Sequence, residues 1–107
     1  MNQLAQDLRA AKALIDTPEK WTKRVFARDS SGFGTPYDGG QAVCFCSAGA
    51  IFRTVGDDPT RERAAMNALA IAMGGDRPSI AAFNDTSEHA EVMAAFDKAI
   101  AAAEAQS

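Results

Sequence analysis

The sequence lacks several features that would assign it to a functional class at once. Its two cysteines, Cys44 and Cys46, are one residue apart, a spacing that argues against a disulfide framework. The N-terminal residues contain neither the basic nor the apolar segment of a signal peptide. The longest largely apolar stretch, 64–73, is about half of the ~20 residues that a membrane helix needs. These absences predict a cytoplasmic protein with no membrane partner.

An excess of positive charge is also missing. The 107 residues carry 11 Lys and Arg against 14 Asp and Glu, a formal net charge of −3, which argues against nucleic acid as a partner. Large apolar side chains are scarce, because almost half of the hydrophobic residues are alanine. Since alanine favours helix and lets helices approach closely, the composition predicts one small, closely packed domain over residues 1–107.

The hydrophobic periodicity predicts a mainly α (α+β) fold, with four to five helices packed around a minor two-stranded β-hairpin. Cap signals and helical spacing predict a first helix that ends near Asp16, a short turn after Thr17, helices at 47–55 and 58–73, a single turn at 79–83, and a last helix capped by Thr86 or Ser87. Gly56 is predicted as a left-handed cap residue.

The hairpin is predicted from two extended runs, 22–28 and 41–45, with a long glycine-rich tip between them. The predicted core consists of Leu8, Ile15, Trp21, Val43, Phe45, Ile51, Phe52, Leu69, Met73, Phe83, Val92, Phe96 and Ile100.

Three blocks of the sequence resemble a known family. They are Trp21-Thr22 followed by Ala27-Arg28-Asp29, then Cys46-Ser47-Ala48-Gly49-Ala50, and then Asn84-Asp85 followed by His89-Ala90-Glu91-Val92. Together they resemble a family of small uncharacterised bacterial and phage proteins, a domain of unknown function, over residues 8–102. The resemblance implies no particular activity.

Cys46 is a candidate catalytic residue. It precedes a predicted helix, where unpaired backbone N–H groups and the helix dipole favour a thiolate. His89 is the only histidine and could act as the base, oriented by Asp85, as in thiol hydrolases. Alternatively, Cys46 is a small core side chain, and Asn84 and Asp85 are turn or cap residues. Whether the protein is an enzyme is left open by the sequence.

No metal and no other cofactor is predicted. Cys44, Cys46 and His89 would supply three ligands at most, and the Cys-x-Cys spacing is shorter than that of structural zinc sites.

Residues 20–28 concentrate positive charge in an acidic protein, with four basic residues and no acidic one. On an extended strand Arg24 and Arg28 would project to the same face, and the glycine-rich tip could close over a ligand. The alternative is a solvated strand face with a core tryptophan. The residues expected at the ligand-binding surface are Trp21, Arg24, Arg28, Asp29, Tyr37 and Asn84.

Two classes of function follow from the sequence. The favoured one is a non-enzymatic module that binds a small anionic molecule or a protein partner; the resemblance allows a phage protein that sequesters a nucleotide-like signal or blocks a host protein. The other is a cysteine-dependent hydrolase or transferase that uses Cys46 with His89. A homodimer with the last helix at its interface is equally compatible with the composition.

Overall fold

A computed structural model of the chain describes residues 2–106 and confirms the mainly α class with a minor hairpin. In chain order its elements are α1 (Gln3–Leu14), a short 3₁₀ turn (Pro18–Lys20), β1 (Ala27–Arg28), β2 (Cys44–Phe45), α2 (Ser47–Val55), α3 (Pro59–Ala72), α4 (Ser79–Thr86) and α5 (His89–Ala105). The strands pair antiparallel, with Ala27 opposite Phe45 and Arg28 opposite Cys44.

The core forms around α1, which packs against α5, α2 and α3. The largest fully buried side chains include Phe96 of α5, Leu8 of α1 and Ile51 of α2. Buried alanines lie between them, which lets the helix axes approach closely. The fold is therefore a small helical bundle, with the hairpin packed on the N-terminal end of α2.

Most of the predicted core is confirmed, with one clear error. Val43 is 53% exposed, because β1 and β2 pair over only two residues and the hairpin does not bring Val43 into the core. Four other predicted core residues are only partly buried: Trp21, Phe52, Met73 and Phe83.

The helix termini follow local capping chemistry. The Asn2 side chain accepts a hydrogen bond from Ala5 N–H, and its amide donates to the Ala103 carbonyl near the end of α5. Glu88, not Thr86 or Ser87, is the N-cap of α5, because Glu88 and Glu91 form a reciprocal capping box. The prediction that Gly56 adopts a left-handed conformation is also wrong, since its φ is −63°.

Both sequence-based interpretations of the segments around the hairpin and α4 need correction. The strand predicted over 22–28 is limited to Ala27–Arg28, because Arg24 has φ +74°, far from extended geometry. The turn predicted at 79–83 is a helix that continues to Thr86. Asn84 and Asp85 therefore lie inside α4 and are not turn or cap residues.

A buried carboxylate joins α1 to α3. Asp7 is 4% exposed, and its two oxygens accept hydrogen bonds from Arg61 Nη2 at 2.7 Å and Nε at 3.1 Å. This bonding raises the pKa of the Arg61 guanidinium. Gln3 donates a further hydrogen bond to Asp7, so the buried charge is satisfied.

Length and hydropathy of the helices bear on the membrane question. Across residues 2–106, none of the helices is both long enough and apolar enough to span a bilayer.

Gly49, in the first turn of α2, is the glycine at which an added Cβ would come closest to another atom. A Cβ at this position would lie 2.0 Å from the Phe26 carbonyl oxygen, which also accepts a hydrogen bond from Cys46 N–H. We expect Gly49→Ala to lower the free energy of unfolding by about 3 kcal/mol, measured by urea denaturation, because the backbone must shift.

The matched control is Gly40→Ala, where a Cβ meets nothing within 4 Å. That variant should stay within about 0.5 kcal/mol of the wild type. Equal stability of the two variants would show that α2 does not pack against the Phe26 backbone in this way.

Candidate functional site

The buried amide of Asn84 connects α4 to two other segments. Its Oδ1 accepts hydrogen bonds from Trp21 Nε1 at 2.8 Å, Ser47 N–H at 3.0 Å and Ser47 Oγ at 2.6 Å. Its Nδ2 donates to the Thr22 carbonyl and to Asp85 Oδ1. The residue is 1% exposed and its amide is fully bonded. These bonds fix α4 against the N-terminus of α2 and the segment that precedes β1.

Next to this amide, Asp85 holds a strained backbone. Asp85 Oδ1 accepts a hydrogen bond from Arg24 N–H at 2.9 Å, and Arg24 has φ +74°. A non-glycine residue in the left-handed region costs about 1–2 kcal/mol. Such strain persists only where surrounding contacts impose it, and it is often found at functional sites. The hydrogen bond from Arg24 N–H to the Asp85 carboxylate is one such contact here.

Beside Arg24 and Asp85 lies a cleft of about 610 Å³, within the range of roughly 300–1,000 Å³ typical of small-molecule sites. One wall comes from the segment that includes β1 and the loop after it, and the other from α2 and α4. Apolar and aromatic side chains form most of the lining. The lining residues are Arg24, Val25, Phe26, Gly34, Thr35, Pro36, Tyr37, Cys46, Ala48, Ile80, Ala81, Asn84 and Asp85.

The loop wall of the cleft is fastened to α2. Phe26, Tyr37 and Phe52 form an aromatic cluster with ring centroids 5.3–6.3 Å apart. Arg53 of α2 donates hydrogen bonds to the carbonyls of Tyr37 and Gly39. The loop after β1 is therefore held in place, although Phe26 remains 51% exposed at the cleft.

The Cys46 thiol faces the cleft but is not activated. Its Sγ accepts a hydrogen bond from Gly49 N–H at 3.3 Å, and the residue is 8% exposed. Burial raises the pKa of the Cys46 thiol, and the nearby Asp85 charge raises it further. The backbone N–H groups at the start of α2 act in the opposite direction but are outweighed by burial. The sulfur is therefore a neutral thiol at neutral pH.

His89 occupies a different place. Its Nε2 lies 2.7 Å from the Ile15 carbonyl, and its ring centroid is 5.6 Å from that of Trp21. Because a carbonyl can only accept, Nε2 carries the proton in this hydrogen bond. His89 does not line the cleft, and the Asp85 oxygen bonds Arg24 and Asn84. Cys46 and Asp85 thus line the cleft together, whereas His89 is not part of its lining and bonds the Ile15 carbonyl.

Arg28 donates hydrogen bonds to the chain on both sides of β1 and does not line the cleft. Its Nε donates to Thr22 Oγ1 at 2.7 Å, its Nη1 to the Gly32 carbonyl at 2.9 Å, and its Nη2 to the Lys23 carbonyl at 3.1 Å. The expectation that Arg24 and Arg28 share one polar strand face is wrong, because the backbone at Arg24 is not extended.

Trp21 and Asp29 also have structural partners. Trp21 is partly buried and donates to Asn84, while Asp29 Oδ1 accepts hydrogen bonds from Ser31 and Phe33 N–H within the loop. Neither residue lines the cleft. Of the residues expected at a ligand surface, Arg24, Tyr37 and Asn84 do line it.

Sequence reasoning missed the apolar walls and one polar partner. Phe26 and Ile80 line the cleft, and Ser47 bonds Asn84, yet none of the three was expected at the site. The only sequence signal was indirect, since Ser47 lies in one of the blocks that carry the family resemblance. Metal-ligating side chains do not gather in groups of three or more within the described part of the chain.

These features define a small, mainly α domain with a short hairpin and an apolar cleft beside a buried amide. The chain belongs to the family of unknown function DUF6197, whose model matches residues 1–102. No curated protein and no solved structure matches the chain significantly. The resemblance to a domain of unknown function is therefore confirmed.

The Asn84 network predicts a large loss of stability on truncation. Asn84→Ala would leave the Ser47 hydroxyl, the Trp21 indole and the Thr22 carbonyl without their partner. Because each unsatisfied buried group costs about 1–3 kcal/mol, we expect the free energy of unfolding, measured by urea denaturation, to fall by at least ~3 kcal/mol. Asn67→Ala, at an exposed position of α3, should change stability by less than about 0.5 kcal/mol. Similar effects in both variants would contradict the network.

The raised pKa of Cys46 predicts slow alkylation. In a Cys44→Ser variant, iodoacetamide at pH 7 should modify the folded protein at least ~10-fold more slowly than the urea-unfolded protein, because little thiolate is present and the sulfur is buried. Because the folded protein binds the Cys46 proton more tightly than the unfolded chain, the thiol contributes to the free energy of unfolding at pH values below its ordinary pKa. This contribution is lost as the pH rises through the pKa of Cys46 in the folded protein. Rapid alkylation at pH 6 that Cys46→Ala abolishes would instead support an activated nucleophile.

Proposed function

We propose that the protein is a non-enzymatic binding module that holds a small molecule with an anionic group and an apolar body in this cleft. The observation that carries the proposal is the unpaired guanidinium of Arg24 at an apolar cleft. Arg24 is exposed, and its side chain makes no hydrogen bond or ion pair within residues 2–106, although its backbone is fixed. A fixed backbone with a free cation is suited to recognition of an anion.

The other basic residues of the 20–28 segment support this assignment, because each already has a partner. Lys20 pairs with Asp16 at 3.2 Å, Lys23 lies 5.3 Å from the centre of an indole ring, and Arg28 binds the loop. Arg24 is thus the basic residue of this segment whose charge is left for a ligand.

The apolar walls supply the remaining binding energy. Burial of apolar surface contributes about 25 cal/mol per Å², and the exposed residues Phe26, Pro36 and Ala81 present such surface to the cleft. The N-terminus of α2, marked by Cys46 and Ala48 in the lining, adds a partial positive charge near the same place. A concave, mostly apolar surface with few polar groups fits a small molecule better than a protein partner.

The enzyme alternative has less support. The Cys46 thiol is neutral, and the only histidine is bonded elsewhere and does not line the cleft. The two free thiols fit a reducing compartment, so the proposal includes a cytoplasmic location.

The proposal is tested with 1-anilinonaphthalene-8-sulfonate, a probe that combines apolar rings with an anionic group. We expect one saturable site per chain by fluorescence titration, weakened by salt because the ion pair is screened. Arg24→Asn should weaken binding about tenfold, the loss of one charge-assisted contact. Asparagine tolerates the left-handed conformation, so the fold should be retained.

A pair of variants on α4 provides the matched control. Ala81 lines the cleft and its neighbour Ala82 does not, although both are exposed. Ala81→Phe should abolish probe binding by filling the cleft, whereas Ala82→Phe should bind like the wild type. Equal binding by the two variants would place the probe elsewhere and refute the proposal. Native mass spectrometry of the protein purified from its host then reports the natural ligand.

A further inference from the structure

One oxygen of the Asp85 carboxylate accepts no hydrogen bond from residues 2–106. Its Oδ1 accepts hydrogen bonds from Arg24 N–H and Asn84 Nδ2, while its Oδ2 accepts none from the residues that the structure describes. Asp85 is half-buried and lines the cleft, whose walls are mostly apolar. A carboxylate in such surroundings favours a donor, and a cationic donor most of all.

The nearby cation does not fill this role. Arg24 and Asp85 are joined through the Arg24 backbone at 2.9 Å, yet their side chains form no ion pair within residues 2–106. An acidic and a basic residue therefore line one cleft without pairing with each other in the described part of the chain. Both are available to one ligand.

We propose that the ligand is a zwitterion of the α-amino-acid type with a large apolar or aromatic side chain. This inference rests on the proposed function and specifies its ligand class. The ligand ammonium binds Asp85 Oδ2, its carboxylate binds the Arg24 guanidinium, and its side chain packs against Phe26 and Pro36.

The contact between Arg24 and Asp85 supports this class. In an α-amino acid the ammonium and carboxylate are attached to one carbon atom, and the cleft is lined by an acid whose carboxylate bonds the backbone N–H of the residue that carries the base. A simple anion at Arg24 would lie near the Asp85 charge without compensating it, and a simple amine would leave Arg24 unused. A ligand with both groups satisfies both residues.

The walls determine the side chain that fits. Phe26 is part of an aromatic cluster but leaves half of its surface exposed, which offers a face or edge for another ring. Ala81 of α4 is exposed and also lines the cleft, and the neutral Cys46 sulfur adds a polarisable contact. Small or charged side chains would leave this apolar surface exposed to water.

The test compares three probes by isothermal titration calorimetry on the full chain: L-phenylalanine, 3-phenylpropanoate, which lacks the ammonium, and phenethylamine, which lacks the carboxylate. We expect L-phenylalanine to bind most tightly, and each missing group to weaken binding about tenfold or more. Ala81→Phe should abolish binding of L-phenylalanine, and Ala82→Phe should not.

Two conservative variants test which residue binds the ligand ammonium and which binds its carboxylate. Asp85→Asn keeps an oxygen that can accept from Arg24 N–H, so the backbone is retained while the charge is removed. This variant should lower the affinity for L-phenylalanine about tenfold and leave the affinity for 3-phenylpropanoate unchanged or higher. Arg24→Asn should lower the affinity for L-phenylalanine and for 3-phenylpropanoate but not the affinity for phenethylamine. If either variant fails to fold, the three-probe comparison on the wild-type chain decides.

The outcomes separate this inference from the proposed function. If 3-phenylpropanoate binds the wild type as tightly as L-phenylalanine, the zwitterion is refuted and the anion-binding cleft stands. If none of the three binds while the naphthalene sulfonate does, the amino-acid class is likewise refuted. If the sulfonate also fails to bind, the proposed function itself fails.

Discussion

The cleft exists because the amide of Asn84 lies fully buried and fully bonded between three segments. Its oxygen accepts from the Trp21 indole and from Ser47, and its nitrogen donates to the Thr22 carbonyl. None of these segments is held to the others by a long sheet, since the strands pair over only two residues. A polar network inside a small apolar domain specifies one arrangement, because any shift would leave several buried groups without partners. The two walls of the cleft are therefore placed by the same hydrogen bonds.

The strained backbone at Arg24 is a local consequence of that network. Asn84 donates to Asp85 Oδ1, and the same oxygen accepts from Arg24 N–H. A glycine at position 24 would adopt this conformation without strain, yet it would carry no charge. Arginine at position 24 therefore makes the backbone less stable than glycine would, but it supplies a guanidinium at the cleft. This is the pattern expected where stability and ligand recognition compete.

The sequence predicted the helical scaffold well because its signals are local. Helix α2 was predicted with both of its ends, from the cap position at Cys46 to Val55, since periodicity and capping act over a few residues. Asn84 illustrates the limit. Asparagine near a helix start typically caps or turns, but here Asn84 lies inside α4 and forms four hydrogen bonds with Trp21, Thr22 and Ser47. The positive φ at Arg24 could not be predicted from the local sequence either, since the Arg24 N–H bonds a side chain 61 residues away.

Cys46 shows why the candidate site could be found but its chemistry could not. The position of Cys46 directly before a helix favours a thiolate, whereas its burial disfavours the charged form. The two effects act on the same sulfur. Burial depends on how α4 and the loop after β1 pack around the thiol, which no local spacing encodes. In the folded protein burial prevails, and the pKa of Cys46 is raised. The residue at the start of α2 therefore provides the cleft with a soft, neutral contact surface, which suits recognition of an apolar or aromatic group and does not suit nucleophilic attack.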